Sequence, residues 1–148
     1  MIELTLINST SRKAPNEKFF RKILDVCVKE TKLGAKNIEL GINLVGERKI
    51  LSLNRKFRNK NKPTDVLSFP LDDKEFEKLG LKGLGDIFIC LPIAKKFAKR
   101  DNISTEGKIA RLTVHGFLHL IGHDHERSPR EEQVMAALED KILRKIRF

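Results

Sequence analysis

The chain predicts an α+β domain in which a mixed sheet of about four strands packs with about five helices. Three observations carry that expectation. Short segments with alternating or continuous apolar residues read as strands, and longer segments that repeat apolar residues every three to four positions read as helices. Glycine, proline and capping residues fall at the junctions between the two kinds of segment. With 148 residues there is enough chain for one domain with a proper core.

Residues 2 to 9 alternate as a first strand. Pro15 occupies an N1-like position ahead of a helix in which Phe19, Phe20, Ile23, Leu24, Cys27 and Val28 recur at helical spacing. That helix extends to Leu33, where Gly34 ends it. Ile38 to Val45 alternate again as a second strand closed by Gly46. A helix follows from Glu47 to about Phe57, with Ile50, Leu51 and Leu53 apolar, and then a basic polar loop from Arg58 to Asp65. Val66 to Leu71 form the third strand, which Pro70 places at an edge or an end of the sheet because proline cannot donate to the ladder. Residues 72 to 84 read as a surface loop with room for a turn of helix. Gly85 to Cys90 form a fourth strand, apolar enough to be central. Pro92 to Arg100 are helical, and Ser104 or Thr105 caps the helix that runs into residue 115. The last helix opens with Ser128-Pro129-Arg130-Glu131, a capping box with proline at N1, and turns Val134, Leu138, Ile142 and Leu143 inward as far as about Ile146. Glu131 and Glu132 at its start and Arg144, Lys145 and Arg147 at its end suit the helix dipole.

Composition narrows the setting. No apolar run reaches the eighteen or so residues of a membrane span, and the first residues lack the basic start and apolar core of a signal peptide. Cys27 and Cys90 lie among apolar neighbours and read as buried free thiols of a reducing cytoplasm, with no disulfide partner. A net charge of +10 favours a polyanionic partner, nucleic acid before an anionic membrane; a heat-adapted surface is the bland explanation. With nine Phe but no Trp and no Tyr, recognition of the nucleic-acid backbone is expected rather than base-by-base stacking.

All 4 histidines fall between residues 115 and 125. On a helix, His115 and His119 project the same way about one turn apart, and Gly122 allows a turn that folds His125 back towards them. The spacing H-x3-H-x2-G-x2-H provides three nitrogen ligands and leaves a fourth position open, the pattern of a catalytic zinc at the end of a central helix. His123 sits beside the turn and reads as a non-ligand. A lone histidine on an apolar helix is usually a satisfied core residue, but four in eleven positions are not placed independently. Gly116 stands where zinc peptidases carry the glutamate that acts as general base, which argues against peptide hydrolysis. Arg58, with Lys60 and Lys62 after it, has the geometry to fork a phosphate; a solvated connector is the alternative. Lys95, Lys96, Lys99 and Arg100 read as a solvated helix face. Asp124 and Glu126 flank His125 and are candidates to orient an imidazole, and Asp86 is a further candidate for the same site.

The tract His115-Gly-Phe-Leu-His-Leu-Ile-Gly-His-Asp-His125, together with Arg58…Lys62-Pro-Thr-Asp-Val-Leu-Ser-Phe-Pro70 and Leu84-Gly-Asp-Ile-Phe-Ile89, resembles the YbeY family of bacterial rRNA maturation factors. The likeness covers the middle and C-terminal two-thirds of the chain. It implies one zinc-class ion (Zn2+) held by His115, His119 and His125, and single-strand-specific endoribonuclease activity. It further implies a part in small-subunit rRNA 3′-end processing and ribosome quality control, so that the expected partners are RNA and the small ribosomal subunit or its proteins, in the cytoplasm. The family's arginine near the site maps onto Arg58, which with His115 makes the pair of candidate catalytic residues. Two other readings stay open at this point: a non-catalytic rRNA-binding assembly factor with a structural zinc, and a zinc hydrolase of peptides or other small substrates.

Overall fold

The structure is a computed structural model that describes residues 1–34, 37–71, 78, 80–123, 126 and 128–146, without the side chain of Leu81. Among the described residues the elements follow in this order: β1 (Ile2–Asn8), α1 (Glu17–Glu30), β2 (Asn37–Val45), α2 (Glu47–Arg58), β3 (Val66–Pro70), β4 (Leu81–Cys90), α3 (Leu91–Arg100), α4 (Thr105–Leu120) and α5 (Pro129–Lys145). The strands form one mixed sheet in the order β1-β2-β4-β3. β1 and β4 run parallel to β2, and β3 runs antiparallel to β4. The α+β domain with about four strands and about five helices is therefore found.

Strand alternation decides which helices cover which face. Ile42 and Leu44 of β2 and Ile87 and Ile89 of β4 point into the main core, which α1, α4 and α5 close with Phe20, Ile23, Phe117, Leu118 and Ile142. On the opposite face, Ile50 and Leu53 of α2 meet Leu67, Phe69 and Phe88 of β3 and β4. α3 gives Leu91 and Ala94 to the first cluster and Ile93 to the second, and so closes the end between the layers. α4 lies at the centre of the covered face. It comes so close to the sheet that a Cβ on Gly116 would meet Cγ2 of the fully buried Ile87 at 2.8 Å. The Ser68 hydroxyl of β3 donates to the Gly116 carbonyl at 3.3 Å and ties the edge strand to the helix.

Pro70 does close the edge strand β3, as its missing donor requires. Several boundaries move. Pro15 precedes the first helix instead of opening it, because Asn16 is the cap and its side chain accepts from the Phe19 amide. The helix ends at Glu30, before Gly34; Lys32 takes the left-handed conformation at φ 53°, and the Leu33 amide bonds back to the Val28 carbonyl. β4 starts at Leu81, four residues ahead of expectation, since Leu81, Lys82 and Gly83 pair with Asn37, Ile38 and Glu39 before a register shift that leaves Leu84 as the extra residue of β4. Long-range pairing overrides the polar composition there. The rest of the loop expected over 72 to 84 falls largely outside the described residues. Ile142 is buried and Leu138 and Leu143 pack against the core as expected, but Val134 is 50% exposed and the inward face is completed by Met135 and Glu139 instead.

Ser104 caps α4 by accepting from the Gly107 amide at 2.9 Å, and Ser128 caps α5 by accepting from the Glu131 amide at 3.1 Å. Both cysteines are free and buried, and burial pushes the Cys27 thiol up to about 12 and raises that of Cys90. No helix among the described residues is long and apolar enough to cross a membrane.

Candidate functional site

The last two turns of α4 carry His115 and His119, and the next residues turn sharply. Gly122 has φ 105°, its amide bonds to the His119 carbonyl at 3.1 Å, and the His123 amide bonds to the Leu118 carbonyl at 3.0 Å. This paired closure is the glycine-dependent helix end that the spacing required. His123 borders a shallow depression with Ser128, Arg130 and Val134 and is not among the residues lining the histidine cleft. His125 and Asp124 lie outside the described residues.

Beside α4, a cleft of about 280 Å³ opens between the helix, strand β3 and the segment joining α2 to β3. Arg58, Lys60, Lys62 and Ser68 line it together with His115 and His119. The lysines enter because the joining segment is folded back onto α2. The Asn54 side chain donates to the Lys62 carbonyl at 2.8 Å, the Lys60 amide donates to the Asn54 carbonyl at 3.2 Å, and Asn59 adopts φ 56° to allow the reversal. The basic loop and the histidine tract, 57 residues apart from Arg58 to His115 by their numbering, thus share one wall-to-wall site.

Nε2 of His115 and Nε2 of His119 are 3.1 Å apart. Two imidazoles on one tetrahedral zinc, each at about 2.0–2.1 Å, hold their nitrogens about 3.3 Å apart. The described pair therefore fits a shared cation of this class. Among the described residues no group of three or more His, Cys, Asp and Glu gathers to hold a metal by itself, and the expected third ligand, His125, falls outside them.

Of the two acidic candidates among the described residues, Asp86 leaves the site and Glu126 borders the cleft. Asp86 points away from α4, because its neighbour Ile87 faces the helix and alternate residues of a strand face opposite ways. It is exposed on the far side of the sheet and accepts from the Asn43 side chain at 3.4 Å, so it is no part of the cleft. Glu126 stands 3.8 Å from the Arg58 guanidinium, with both side chains more than a third exposed. One residue escaped the sequence reading altogether. Glu139, 9% exposed on α5, is hydrogen-bonded to Nδ1 of His115. The signal for it was an acid on an otherwise apolar stripe, between Met135 and Ile142.

Gly116 gains a second meaning from this geometry. A Cβ at this position would press on Ile87 and on the Ser68 hydroxyl, so a glutamate there would strike the sheet.

Paired imidazoles at the head of a cleft lined by arginine and lysine suit a protein that handles a phosphate-bearing ligand. Comparison with known proteins agrees. A family model described as Endoribonuclease YbeY matches residues 5–147. The Endoribonuclease YbeY of Persephonella marina is 48% identical over 115 residues, which span 78% of this chain and 74% of that protein. That of Sulfurihydrogenibium is 40% identical over 134 residues, 90% and 86% of the two chains. That of Buchnera aphidicola is 35% identical over 151 residues, 100% and 92%. In fold, the chain is similar to the solution structure of TM1509 from Thermotoga maritima, with a TM-score of 0.63, 25% identity and coverage of 97% and 88%. The chain belongs to the YbeY endoribonuclease family. It is thus a hydrolase with RNA as its substrate, in a family that is generally metal-dependent, and the non-catalytic and peptidase readings give way.

Proposed function

We propose that this endoribonuclease is specific for single-stranded RNA, uses one zinc ion held by His115, His119 and His125, and acts in the cytoplasm on the 3′ end of small-subunit rRNA during ribosome maturation and quality control. The observation that carries the metal reading is the convergence of the His115 and His119 Nε2 atoms, 3.1 Å apart, at the wall of a cleft shared with Arg58. When bound, such an ion supplies Lewis acidity next to the scissile phosphate.

The remaining work falls to the chain's own groups. Arg58 presents a planar fork to non-bridging phosphate oxygens and offsets charge that grows on them in the transition state. Lys60 and Lys62 add positive field along the same wall and hold the flanking backbone. No carboxylate follows His115 as general base, which suits phosphoryl transfer, where positioning and charge dominate. The basic lining of the cleft and the absence of Trp and Tyr support recognition of the strand by its phosphates. A part in rRNA maturation is supported by family membership, and docking on the small subunit or its proteins accords with the net charge of +10.

The test is a cleavage assay on matched single-stranded and duplex RNA with chelator-stripped protein, before and after zinc is returned. Cleavage of the single strand should vanish and come back, and a His115→Ala/His119→Ala variant should stay inactive with zinc present. Full activity in the stripped protein or in the double variant would refute the metal reading. Equal cutting of duplex would refute the single-strand preference.

A further inference from the structure

We infer that Glu139 is the positioning residue for His115: its carboxylate accepts a hydrogen bond from Nδ1–H and so fixes the tautomer that turns the Nε2 lone pair towards a cation. The inference rests on the reading of His115 and His119 as metal ligands and extends it to a helix that the histidine motif does not include.

The placement of Glu139 is costly unless it serves the imidazole. It lies on the inward stripe of α5 between Met135, 1% exposed, and the fully buried Ile142. A carboxylate taken out of water in such surroundings is disfavoured unless a donor compensates it. The partner it has is Nδ1 of His115, on the facing helix α4. A contact that merely joined the two helices would be served better by an apolar side chain, since a buried polar pair seldom stabilises more than an apolar pair of like volume.

The chemistry of the ring then sets the direction. An ionised carboxylate only accepts, so Nδ1 must donate, and in the neutral imidazole Nε2 is left with its lone pair. That Nε2 is the atom 3.1 Å from Nε2 of His119, and both rings border the cleft. Two nitrogens at that distance need a proton or a cation between them. A carboxylate behind a ligating imidazole holds the ring in place and makes the facing nitrogen more basic, and its loss typically lowers metal affinity by about 10–100-fold. The group that meets Nδ1 of His115 from α5 is the buried acid Glu139.

The test uses the full chain, with zinc alone as the probe in competition against a chromogenic chelator. Glu139→Leu should weaken zinc binding by about 10–100-fold, and Glu139→Gln, which keeps an acceptor oxygen without the charge, should recover part of that loss. Independently, long-range nitrogen–proton correlation spectra of the metal-free wild type should show the His115 proton on Nδ1. Zinc affinity of E139L within about threefold of a zinc-binding wild type would overturn the role of Glu139 and leave the metal site standing. A proton on Nε2 of His115 would overturn it as well, and this readout holds even if E139L fails to fold. A wild type that binds no zinc would instead bring down the metal reading itself, and this inference with it.

Discussion

Arg58→Ala separates a functional arginine from a structural one, because the two roles predict different magnitudes. Structurally the side chain has little to lose. Its ion pair with Glu126 is long, 3.8 Å, and the two side chains are 38% and 55% exposed. Pairs of that kind contribute about 0–1 kcal/mol. Arg58 is also the last residue of α2, where a cation gains about 0.3–1 kcal/mol from the helix dipole. Together these come to about 0.3–2 kcal/mol, so the substitution should lower the melting temperature by about 1–8 °C for a chain of this size. Against that stands the loss of a forked, charge-assisted contact to phosphate, about 2–3 kcal/mol in the transition state. At a factor of ten per 1.36 kcal/mol, kcat/KM on single-stranded RNA should fall about 30- to 150-fold. Arg58→Lys, which keeps the charge and loses the fork, should fall between the two. The assays are steady-state cleavage of a fluorescent RNA and calorimetric melting of the same preparations. Unchanged kcat/KM in R58A, or a loss of activity matched by a large loss of stability, would refute the role given to the guanidinium.

Lys60 and Lys62 contact the rest of the chain through backbone groups, so the double alanine variant should keep the loop in place. It should lower the salt slope of single-stranded RNA binding by about 1.4 if each lysine meets one phosphate, as fluorescence anisotropy against salt would show. An unchanged slope would place both lysines outside the RNA path. Gly116→Glu, which restores the residue of zinc peptidases, should lose at least about 2 kcal/mol of stability and gain no peptidase activity, because the side chain is driven into Ile87. Denaturant titration would decide, and wild-type stability would show that α4 is not seated as described. The carboxyl of Glu30 is held below its ordinary value of 4.5, first by the hydrogen bond from Lys145 and further by Lys141, so the pairing stabilises the fold above that pH and is lost as pH falls through the depressed value. Glu30→Gln should accordingly flatten the acid limb of stability below about pH 4.5, and an unchanged limb in melting curves would count against the α1–α5 pairing.

Much of the site was legible because its key relations are local. The i, i+4 spacing puts His115 and His119 on one face whatever surrounds them, and the Gly122 turn follows from the conformations open to glycine. The serine caps of α4 and α5 and the edge position of β3 were readable for the same reason: each depends on groups within about one turn or on one missing donor. The end of α1 was missed because Lys32 takes a conformation that glycine would be expected to supply, and nothing in the side chain announces it.

What the sequence by itself determined is a basic α+β chain with imidazoles paired on one helix, because periodicity, charge and backbone preference act between near neighbours. The tertiary structure alone decided what those imidazoles meet. Only the packing of α5 on α4 brings Glu139 behind His115, and only the fold-back of the segment after α2 puts Lys60 and Lys62 across from it. Packing also sent Asp86 to the far face of the sheet and Val134 to the surface. A strand or helix records in its own residues which side is apolar. Which distant element covers that side is settled when the faces are brought together, and it is there that a buried acid finds its imidazole.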